Sequence, residues 1–387
     1  MMRQTLALFL DAYRELNARK LFWITLVLSV LVVGAYACIG INQTGVTILW
    51  FQMETSPFDS DMVPPRLFYS FIFSFLAVPF WLTWIATILA LITTASLIPD
   101  FLSSGAVELS LSKPIRRSRL LLTKFLSGLL FAALQVVVFT IASFLVIGIR
   151  GGSWEFGIFL AVPIVILFFS YLYSISMLLA LLTRSTMAAL LLTLLIWFGL
   201  FSITVTDDML LSMREARVME VQIYERREQI QIEGERNELR RLEALGEEIP
   251  EGELANPLLL ATREQLQDRR AALRRASRRT GLWTLLRTPM PKTTETIDYL
   301  GRSLISMEEL EKIMNPAGDE EYDVEKTIDR RARGIMRVRM GFDDPAVAHR
   351  TEVIQRERGF GWTIGTSLGF ELVVVGVCCL IFSRRDF

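Results

Sequence analysis

The sequence predicts an all-α membrane protein whose chain crosses the bilayer six times. Its 387 residues are 52% hydrophobic, and 41 basic side chains balance 41 acidic ones. These charges are almost absent from six segments and are crowded into the rest of the chain. A soluble protein with an apolar core would scatter its charges along the sequence, whereas a bilayer separates them by position. Segregated charge and six long apolar segments therefore indicate a polytopic membrane protein.

Each of the six segments is long enough to span the membrane as a helix. Five contain no charged residue and the last contains one; they are 21–40, 67–99, 125–149, 156–183, 185–206 and 359–383. About 20 apolar residues cross roughly 30 Å of hydrocarbon, and backbone groups there must bond within their own segment. The second segment is longer than a span needs, so we expect it to tilt or extend beyond the bilayer, with a kink at Pro79.

The charges of the short connections predict the orientation. With the N-terminus in the cytoplasm, the inner segments are 1–20, 100–124, 184 and 384–387. They hold twelve basic residues, whereas the short outer loops hold only Arg66 and Arg150. This positive-inside bias predicts cytoplasmic termini and a multi-pass protein of the cell (inner or plasma) membrane. An apolar stripe in 1–20 predicts a helix along the inner membrane surface; a helix packed on the ends of other spans is the alternative.

The sequence argues against an enzyme, a cofactor site or a metal site. Neither the P-loop pattern G-x-x-x-x-G-K-[ST] nor the pattern H-E-x-x-H occurs. Cys38, Cys378 and Cys379 fall within spans and offer no disulfide framework. The vicinal pair could bind a soft metal such as Cu(I), but packing as small apolar residues is favoured. The single histidine, His349, cannot build a His-based metal site. We expect no catalytic residue, cofactor, metal or nucleic-acid partner.

The loop 100–124 between the second and third spans is the first candidate site. Its sequence DFLSSGAVELSLS predicts a short helix with one apolar face, and Pro114 cannot continue that helix. The rest of the loop, from residue 113 to residue 124, contains five basic residues, namely Lys113, Arg116, Arg117, Arg119 and Lys124. The charge alone is explained by topology and contact with anionic lipid. A helix ended by proline, with an apolar face, favours docking of a partner at the cytoplasmic side.

The residues of this loop carry a resemblance to a known family. Gly105, Glu108, the run Leu111-Ser112-Lys113-Pro114, Arg116-Arg117 and Lys124-Phe125 resemble the cytoplasmic loop of permeases of the type-2 ABC transporter family. Thr123 stands where that family has a glycine. The C-terminal LIFSRRDF is similar to a frequent ending of the family. The resemblance covers 1–206 and 359–387.

The resemblance implies the permease subunit of an ATP-driven exporter. Its partners in the lipid bilayer would be a second permease protomer and separate ATPase subunits. The second protomer would be another copy, which gives the homodimer favoured here, or a similar chain. The ATPase-coupling residues it implies are Gly105, Glu108, Leu109, Leu111, Lys113, Pro114, Arg116 and Arg117. The alternative function is a non-transporting membrane scaffold whose extracytoplasmic hairpin recruits a partner protein.

The segment 207–358 is predicted to be a large extracytoplasmic insertion between spans five and six. It contains 27 basic and 31 acidic residues, too many to lie in lipid. Apolar residues seven apart in 207–245 and again in 258–279 predict two helices that pair as an αα-hairpin with a coiled-coil-like seam. The predicted domains are therefore 1–20, 21–206, 207–358 and 359–387. Either the hairpin engages an extracytoplasmic partner protein or the second protomer, or it is a solvated lid without a partner.

Glu371 is the second candidate site, because a carboxylate near the middle of a span costs about 2.5–3.5 kcal/mol on insertion scales. It should face the bundle or a wet cavity. Either it lines the substrate path or the dimer seam, or it bonds to polar groups of neighbouring spans. Those groups are Ser170, Tyr171, Ser174 and Gln135. No Lys or Arg of the spans lies at matching depth, so no ion pair is expected for Glu371.

Overall fold

A computed structural model describes residues 20–43, 45–49, 51–52, 60, 63–103, 117–246, 257–314, 323–334, 338–341 and 344–384. The predicted interfacial helix 1–20, apart from Lys20, lies outside the described residues and stays a prediction. Most of the chain that is described is helical, and six helical segments are long and apolar enough to cross a membrane. The predicted all-α, six-span architecture is confirmed.

The spans occupy the predicted segments. In chain order the elements are α1 (Lys20–Ala37), α2 (Pro65–Phe71), a π-helical segment (Ile72–Ala86), α3 (Thr87–Ala95), α4 (Leu97–Ser103), α5 (Arg117–Gly151), a 3₁₀ turn (Phe156–Leu160), α6 (Ala161–Thr183), α7 (Thr186–Leu245) and, last, α13 (Phe360–Arg384). Span two consists of α2, the π-helical segment and the helices that follow. Arg184 ends α6 in the left-handed conformation at φ 54°, which allows the sharp turn into α7.

Pro79 lies inside the π-helical segment of span two. Proline has no N–H to donate, so it removes one α-helical hydrogen bond and crowds the preceding turn. Here the helix continues with wider turns, as helices do at π-bulges. The hydroxyls of Thr83 and Thr87 donate to the carbonyl oxygens of Val78 and Leu82, five residues earlier, at 3.1 and 2.8 Å. The expected irregularity at Pro79 therefore takes the form of a long π-helical run.

The helix α6 is the most buried of the spans and packs against α5 and α13. Aromatic side chains fill this contact: the Tyr173 ring stacks on Phe125 and Phe169 at centroid distances of 5.4 and 5.6 Å. Gly128 of α5 lies directly against the same Tyr173 ring, where a larger side chain would clash. Small residues at such crossings let membrane helices approach closely.

A three-stranded antiparallel sheet follows span one and was not predicted. It consists of β1 (Ile39–Asn42), β2 (Gly45–Ile48) and β3 (Phe51–Gln52), with Ile39 opposite Ile48. Tyr69 of span two donates its hydroxyl to the Ile39 carbonyl at 2.8 Å, and Arg150 of span three donates to the Tyr69 hydroxyl at 3.1 Å. The sheet thus joins the ends of three spans.

The chain divides into two compact units. The first contains the spans and also Pro289–Asp319, which includes α9 (Thr293–Leu304) and α10 (Met307–Met314). The second consists of Ser202–Thr288 and Glu320–Gly359. The predicted boundaries 207–358 remain a prediction, but the contacts group α9 and α10 with the spans.

In the second unit, α7 from Ser202 onward pairs antiparallel with α8 (Pro257–Arg287), and α11 (Val324–Arg333) and α12 (Pro345–Glu357) belong to the same unit. These helices cover both segments for which a hairpin was predicted. Apolar residues of α7, among them Met219 and Ile223, pack on Val347 and Ala346 of α12. At the surface Arg226 donates to Asp329 at 2.6 Å, and this bond holds the pKa of Asp329 below its usual value.

Candidate coupling loop and intramembrane polar cluster

Most of the predicted coupling residues lie outside the described part of the chain. These are Gly105, Glu108, Leu109, Leu111, Lys113, Pro114 and Arg116. Arg117 is described and is the first residue of α5, half-buried at the start of span three. The proposed coupling role of all eight residues stays a prediction, and the structure describes what flanks them.

The two ends of the loop are held together next to the last span. Before the loop, Phe101 of α4 is buried, and the Lys124 ammonium of α5 lies 5.7 Å from its ring centroid. The same Phe101 ring lies 6.3 Å from the ring of Phe382, which is fully buried near the end of α13. A cation over an aromatic face at this range is attractive. The loop therefore begins and ends at one packed cluster that joins spans two, three and six.

Glu371 of α13 is buried and contacts α6. The Ser170 hydroxyl donates to a Glu371 carboxylate oxygen at 2.8 Å and also lies 2.8 Å from the Leu167 carbonyl oxygen. The Ser170 hydroxyl has one hydrogen, so with an ionised Glu371 the two acceptors must share it. A protonated Glu371 would instead donate to the Ser170 oxygen, and the Ser170 hydroxyl would then donate to the Leu167 carbonyl oxygen alone. Of the partners expected for Glu371, Ser170 is the one with a direct bond among the described residues.

The other expected partners are placed differently. Ser174 donates to the Tyr171 carbonyl oxygen at 2.8 Å within its own helix. Gln135 of α5 is buried, and its amide nitrogen has no hydrogen-bond partner among the described residues. A buried amide without a partner is costly, so this nitrogen is a candidate contact for water or for a transported molecule. Gln135 and Glu371 both remain candidate site residues.

A lysine that the sequence analysis did not consider lies against span six. Lys292 precedes α9 and is almost fully buried. Its backbone N–H donates to Ser367 at 2.9 Å, its ammonium donates to Thr366 at 2.7 Å, and the ammonium lies 4.3 Å from the Trp362 ring centroid. Ser367 is one helical turn from Glu371. Lys292 belongs to none of the six spans, and it reaches span six because α9 folds back among the spans.

Tyr171 connects Lys292's segment to the Glu371 region. Tyr171 is fully buried in α6, and its hydroxyl has no hydrogen-bond partner among the described residues. The hydroxyls of Thr296 of α9 and Ser367 of α13 donate to the carbonyl oxygens of Lys292 and Thr363, each at 2.7 Å. Close packing brings α9 here: a side chain at Gly301 would lie 3.3 Å from the Phe75 ring of span two. Span six, α6 and α9 therefore share one polar cluster inside an otherwise apolar bundle.

The signal for this cluster in the sequence is weak. The run PMPKTTETIDYLG contains two prolines and an amphipathic pattern, which are also typical of an exposed loop and helix. Only the burial of Lys292, Thr293 and Thr296 in the structure distinguishes this run from an exposed loop and helix.

The run GTSLG at 365–369 has the spacing of a G-x-S-x-G nucleophile elbow. It lies inside the continuous helix α13, where Ser367 donates to the Thr363 carbonyl at 2.7 Å, so the strand–turn–helix setting of an elbow is missing there. Within the described residues no group of three His, Cys, Asp or Glu could hold a metal ion.

Comparison with known families decides the identity. A family model described as ABC-2 family transporter protein matches residues 8–230, which is more than half of the chain. The chain belongs to the ABC-2 transporter family. It is therefore a multi-pass membrane protein and a permease component of an ABC transporter, a family that generally works with an ATPase subunit. The match includes the first five spans and the loop 100–124. No curated protein and no solved structure was found that matches this chain.

Removing the Ser170 hydroxyl should destabilise this ABC-2 permease. We expect Ser170→Ala to lower the free energy of unfolding by about 1–3 kcal/mol, because the buried Glu371 carboxyl loses its hydroxyl partner. Ser174→Ala is the matched control, since Ser174 bonds only to its own helix. Thermal unfolding of the purified protein in detergent measures both. Equal effects of the two changes would show that the Ser170–Glu371 bond contributes nothing of its own.

Proposed function

We propose that this chain is the permease of an ATP-driven exporter and that the loop 100–124 couples its spans to separate ATPase subunits. The observation that carries the proposal is the cluster of Phe101, Lys124 and Phe382 at the two ends of the loop. A displacement of the loop would be transmitted through packed side chains to spans two, three and six at once. The chain has no P-loop, so ATP hydrolysis belongs to another polypeptide.

The proposed orientation has both termini and this loop in the cytoplasm. The twelve basic residues of the inner segments, against two in the short outer loops, support it. The charged second unit is then extracytoplasmic, where it is available to a partner protein. Two permease chains, each beside an ATPase, would enclose the substrate path as a homodimer.

The polar cluster of Glu371, Ser170, Tyr171, Lys292 and Thr296 is the proposed contact with the transported molecule. Buried polar groups inside a membrane bundle are costly, and they persist there where they serve a path or a seam between helices. The incompletely bonded Tyr171 hydroxyl supports the path, because it can accept a further partner. The structural alternative is that Glu371 only joins α13 to α6 through Ser170.

A non-transporting scaffold is the second candidate function. The observation that favours it is the series of ion pairs between α7 and α8, in which Arg263 donates to Glu228 at 2.7 Å and Arg270 donates to Glu225 at 2.8 Å. An ordered hairpin of this kind can present a docking surface without any transport. Whether a P-loop ATPase purifies with the chain distinguishes the two functions.

Acidic residues on the apolar face of the loop should release the ATPase. We expect the double variant Leu109→Asp, Leu111→Asp to lose both the P-loop ATPase subunits that purify with the chain and the ATP hydrolysis activity of the preparation. Mass spectrometry identifies the subunits. A carboxylate cannot be buried in an apolar groove without a large desolvation penalty. The control carries Leu258→Asp and Leu260→Asp, two exposed leucines with the same spacing in α8. Co-purification that survives the loop change would refute coupling by this face, and an ATPase absent from the wild type would favour the scaffold.

The orientation predicts which reagents reach the second unit. Gln267 is exposed on α8, so Gln267→Cys should react with a membrane-impermeant thiol reagent in intact cells. The three native cysteines lie in or beside the spans and are replaced by alanine first. Ser185→Cys, at the predicted cytoplasmic turn, should react only after the membrane is opened. The reverse pattern would invert the topology.

Glu371→Gln distinguishes the path from the structural role. Glutamine keeps the shape and an acceptor for Ser170 but cannot titrate. If Glu371 takes part in the transport cycle, the variant complex should retain its ATPase subunits while the pH profile of its ATP hydrolysis differs from that of the wild type. Hydrolysis is measured in proteoliposomes from pH 5 to pH 9, a range estimated to include the titration of buried carboxyls. Identical profiles would leave Glu371 with the structural role alone.

A further inference from the structure

The second unit contains a cavity between α7, α11 and α12. Its volume is about 490 Å³, within the range of about 300–1,000 Å³ that ligand pockets occupy. The wall on α11 includes Val324 and Ile328, which are half-buried and pack against the apolar cluster that contains Met219 and Ile223. The packing of the unit itself therefore holds an apolar wall in the cavity.

Five charged side chains also line the cavity, and four of them have partners in the structure. Arg226 donates to Asp329 at 2.6 Å, and Arg350 donates to Gln222 at 2.8 Å. Glu225 accepts from an arginine of α8 at 2.8 Å. These contacts tie the helices of the unit together, and they leave the fifth charged residue as the one that differs.

That fifth residue is Glu325, an exposed glutamate in the first turn of α11. Within the described part of the chain, its carboxylate forms no hydrogen bond and no ion pair. The positive end of the helix dipole favours a negative charge at this position. A carboxylate beside Val324 and Ile328 can therefore bind a cation whose remaining atoms are apolar.

Two glutamines of α7 add hydrogen-bond donors to the cavity. The side-chain oxygens of Gln222 and Gln229 accept from Arg350 and Arg226, at 2.8 and 3.4 Å. Neither side-chain NH₂ group has an acceptor among the residues that the structure describes. Such groups donate to carbonyl oxygens, and the two glutamines lie about 10 Å apart along one face of α7.

We propose that this cavity binds a peptide through a basic side chain. The aliphatic stem of a lysine or arginine lies along Val324 and Ile328, and its charged end pairs with Glu325. Carbonyl oxygens of the peptide accept from Gln222 and Gln229. Long basic side chains bury their stems on apolar surface in this way while the charge stays near water. A simple amine would leave the glutamine donors unused, which favours a peptide.

The inference depends neither on transport nor on the side of the membrane. Every residue that carries it belongs to one compact unit, formed by Ser202–Thr288 and Glu320–Gly359. A failure of the proposed exporter function would therefore leave it standing, and its own failure would leave the exporter function untouched.

Saturation-transfer NMR on the full chain in nanodiscs tests the binding. The probes are N-acetyl-lysine-N-methylamide and its arginine counterpart, each with two peptide groups and one basic side chain. We expect a Kd of about 1 mM for at least one probe, the affinity typical of a ligand of this size. N-acetyl-norleucine-N-methylamide keeps the four-carbon stem of lysine and lacks the ammonium, so it should bind about fivefold more weakly at low salt.

The variant Glu325→Gln should weaken the binding of the basic probe about fivefold, because the carboxylate that pairs with it is lost. The matched control is Glu264→Gln, a change at an exposed glutamate of α8, and we expect it to leave the Kd unchanged. Circular dichroism checks that both variants keep their helices.

Three outcomes would overturn the proposal. The first is the absence of saturation transfer from both basic probes up to about 10 mM, tenfold above the expected Kd. The second is an equal Kd for the norleucine derivative, since the cavity would then bind any apolar chain. The third is an equal Kd for the wild type and Glu325→Gln, which would remove the carboxylate from the site.

A free peptide and a segment of a partner protein share this chemistry, and photocrosslinking in intact cells distinguishes them once binding is measured. The exposed Gln229 is replaced by p-benzoylphenylalanine. A discrete band larger than the 387-residue chain, lost when Glu325→Gln is added, would assign the basic side chain to a partner protein. A chain that stays at its own size would assign it to free peptides.

Discussion

Exclusion of unpaired polar groups from hydrocarbon is the constraint on which this structure depends. Helices satisfy their own backbone, and many serine and threonine hydroxyls within the spans follow the same rule by donating to a carbonyl oxygen of their own helix. Examples with bonds of 2.7–2.8 Å to the residue four positions earlier are Thr25, Thr93, Thr94, Ser127, Ser143 and Thr193. These residues let small polar groups face helix contacts without opening the bundle.

The polar cluster around Glu371 is where this constraint is relaxed. Glu371 and Lys292 bring ionisable groups into the unit that contains the spans, and Ser367, which accepts from the Lys292 backbone N–H, lies about one turn from Glu371 along span six. Each forms hydrogen bonds with hydroxyl groups, and these bonds lower the free-energy cost of burying an ionisable side chain. Such concentrations of costly groups in membrane proteins mark pathways and moving contacts. This is the reason for proposing the cluster as the contact with the transported molecule.

The second unit relies on buried charge. Glu220 is fully buried and accepts from Arg217, Arg269 and the Met340 backbone N–H at 2.8, 3.0 and 3.1 Å. Asp207, directly after the charge-free segment 185–206, forms ion pairs with Arg287 and Arg358. A buried pair contributes little over an apolar substitute, but removing one partner costs about 3–5 kcal/mol. These contacts fix which helices meet and at what register.

The sequence by itself determined the class of this protein, the number and position of its spans and its family. Those properties depend on composition and on segments of about 20 residues, which the bilayer selects by length and charge alone. The sequence also reveals the loop motif at Lys113 and Pro114 and the isolated Glu371, because each interrupts an otherwise uniform pattern of residues.

Only the tertiary structure decided which polar groups meet. The pairing of Glu371 with Ser170 joins residues 201 positions apart, and the burial of Lys292 depends on α9 folding back among the spans. Hydropathy along the chain cannot show this, because α9 is polar enough for a water-exposed helix and is buried through contacts with span two, α6 and α13. The sheet after span one was missed for a similar reason: short strands are stabilised by partners across the sheet, which no single segment reveals.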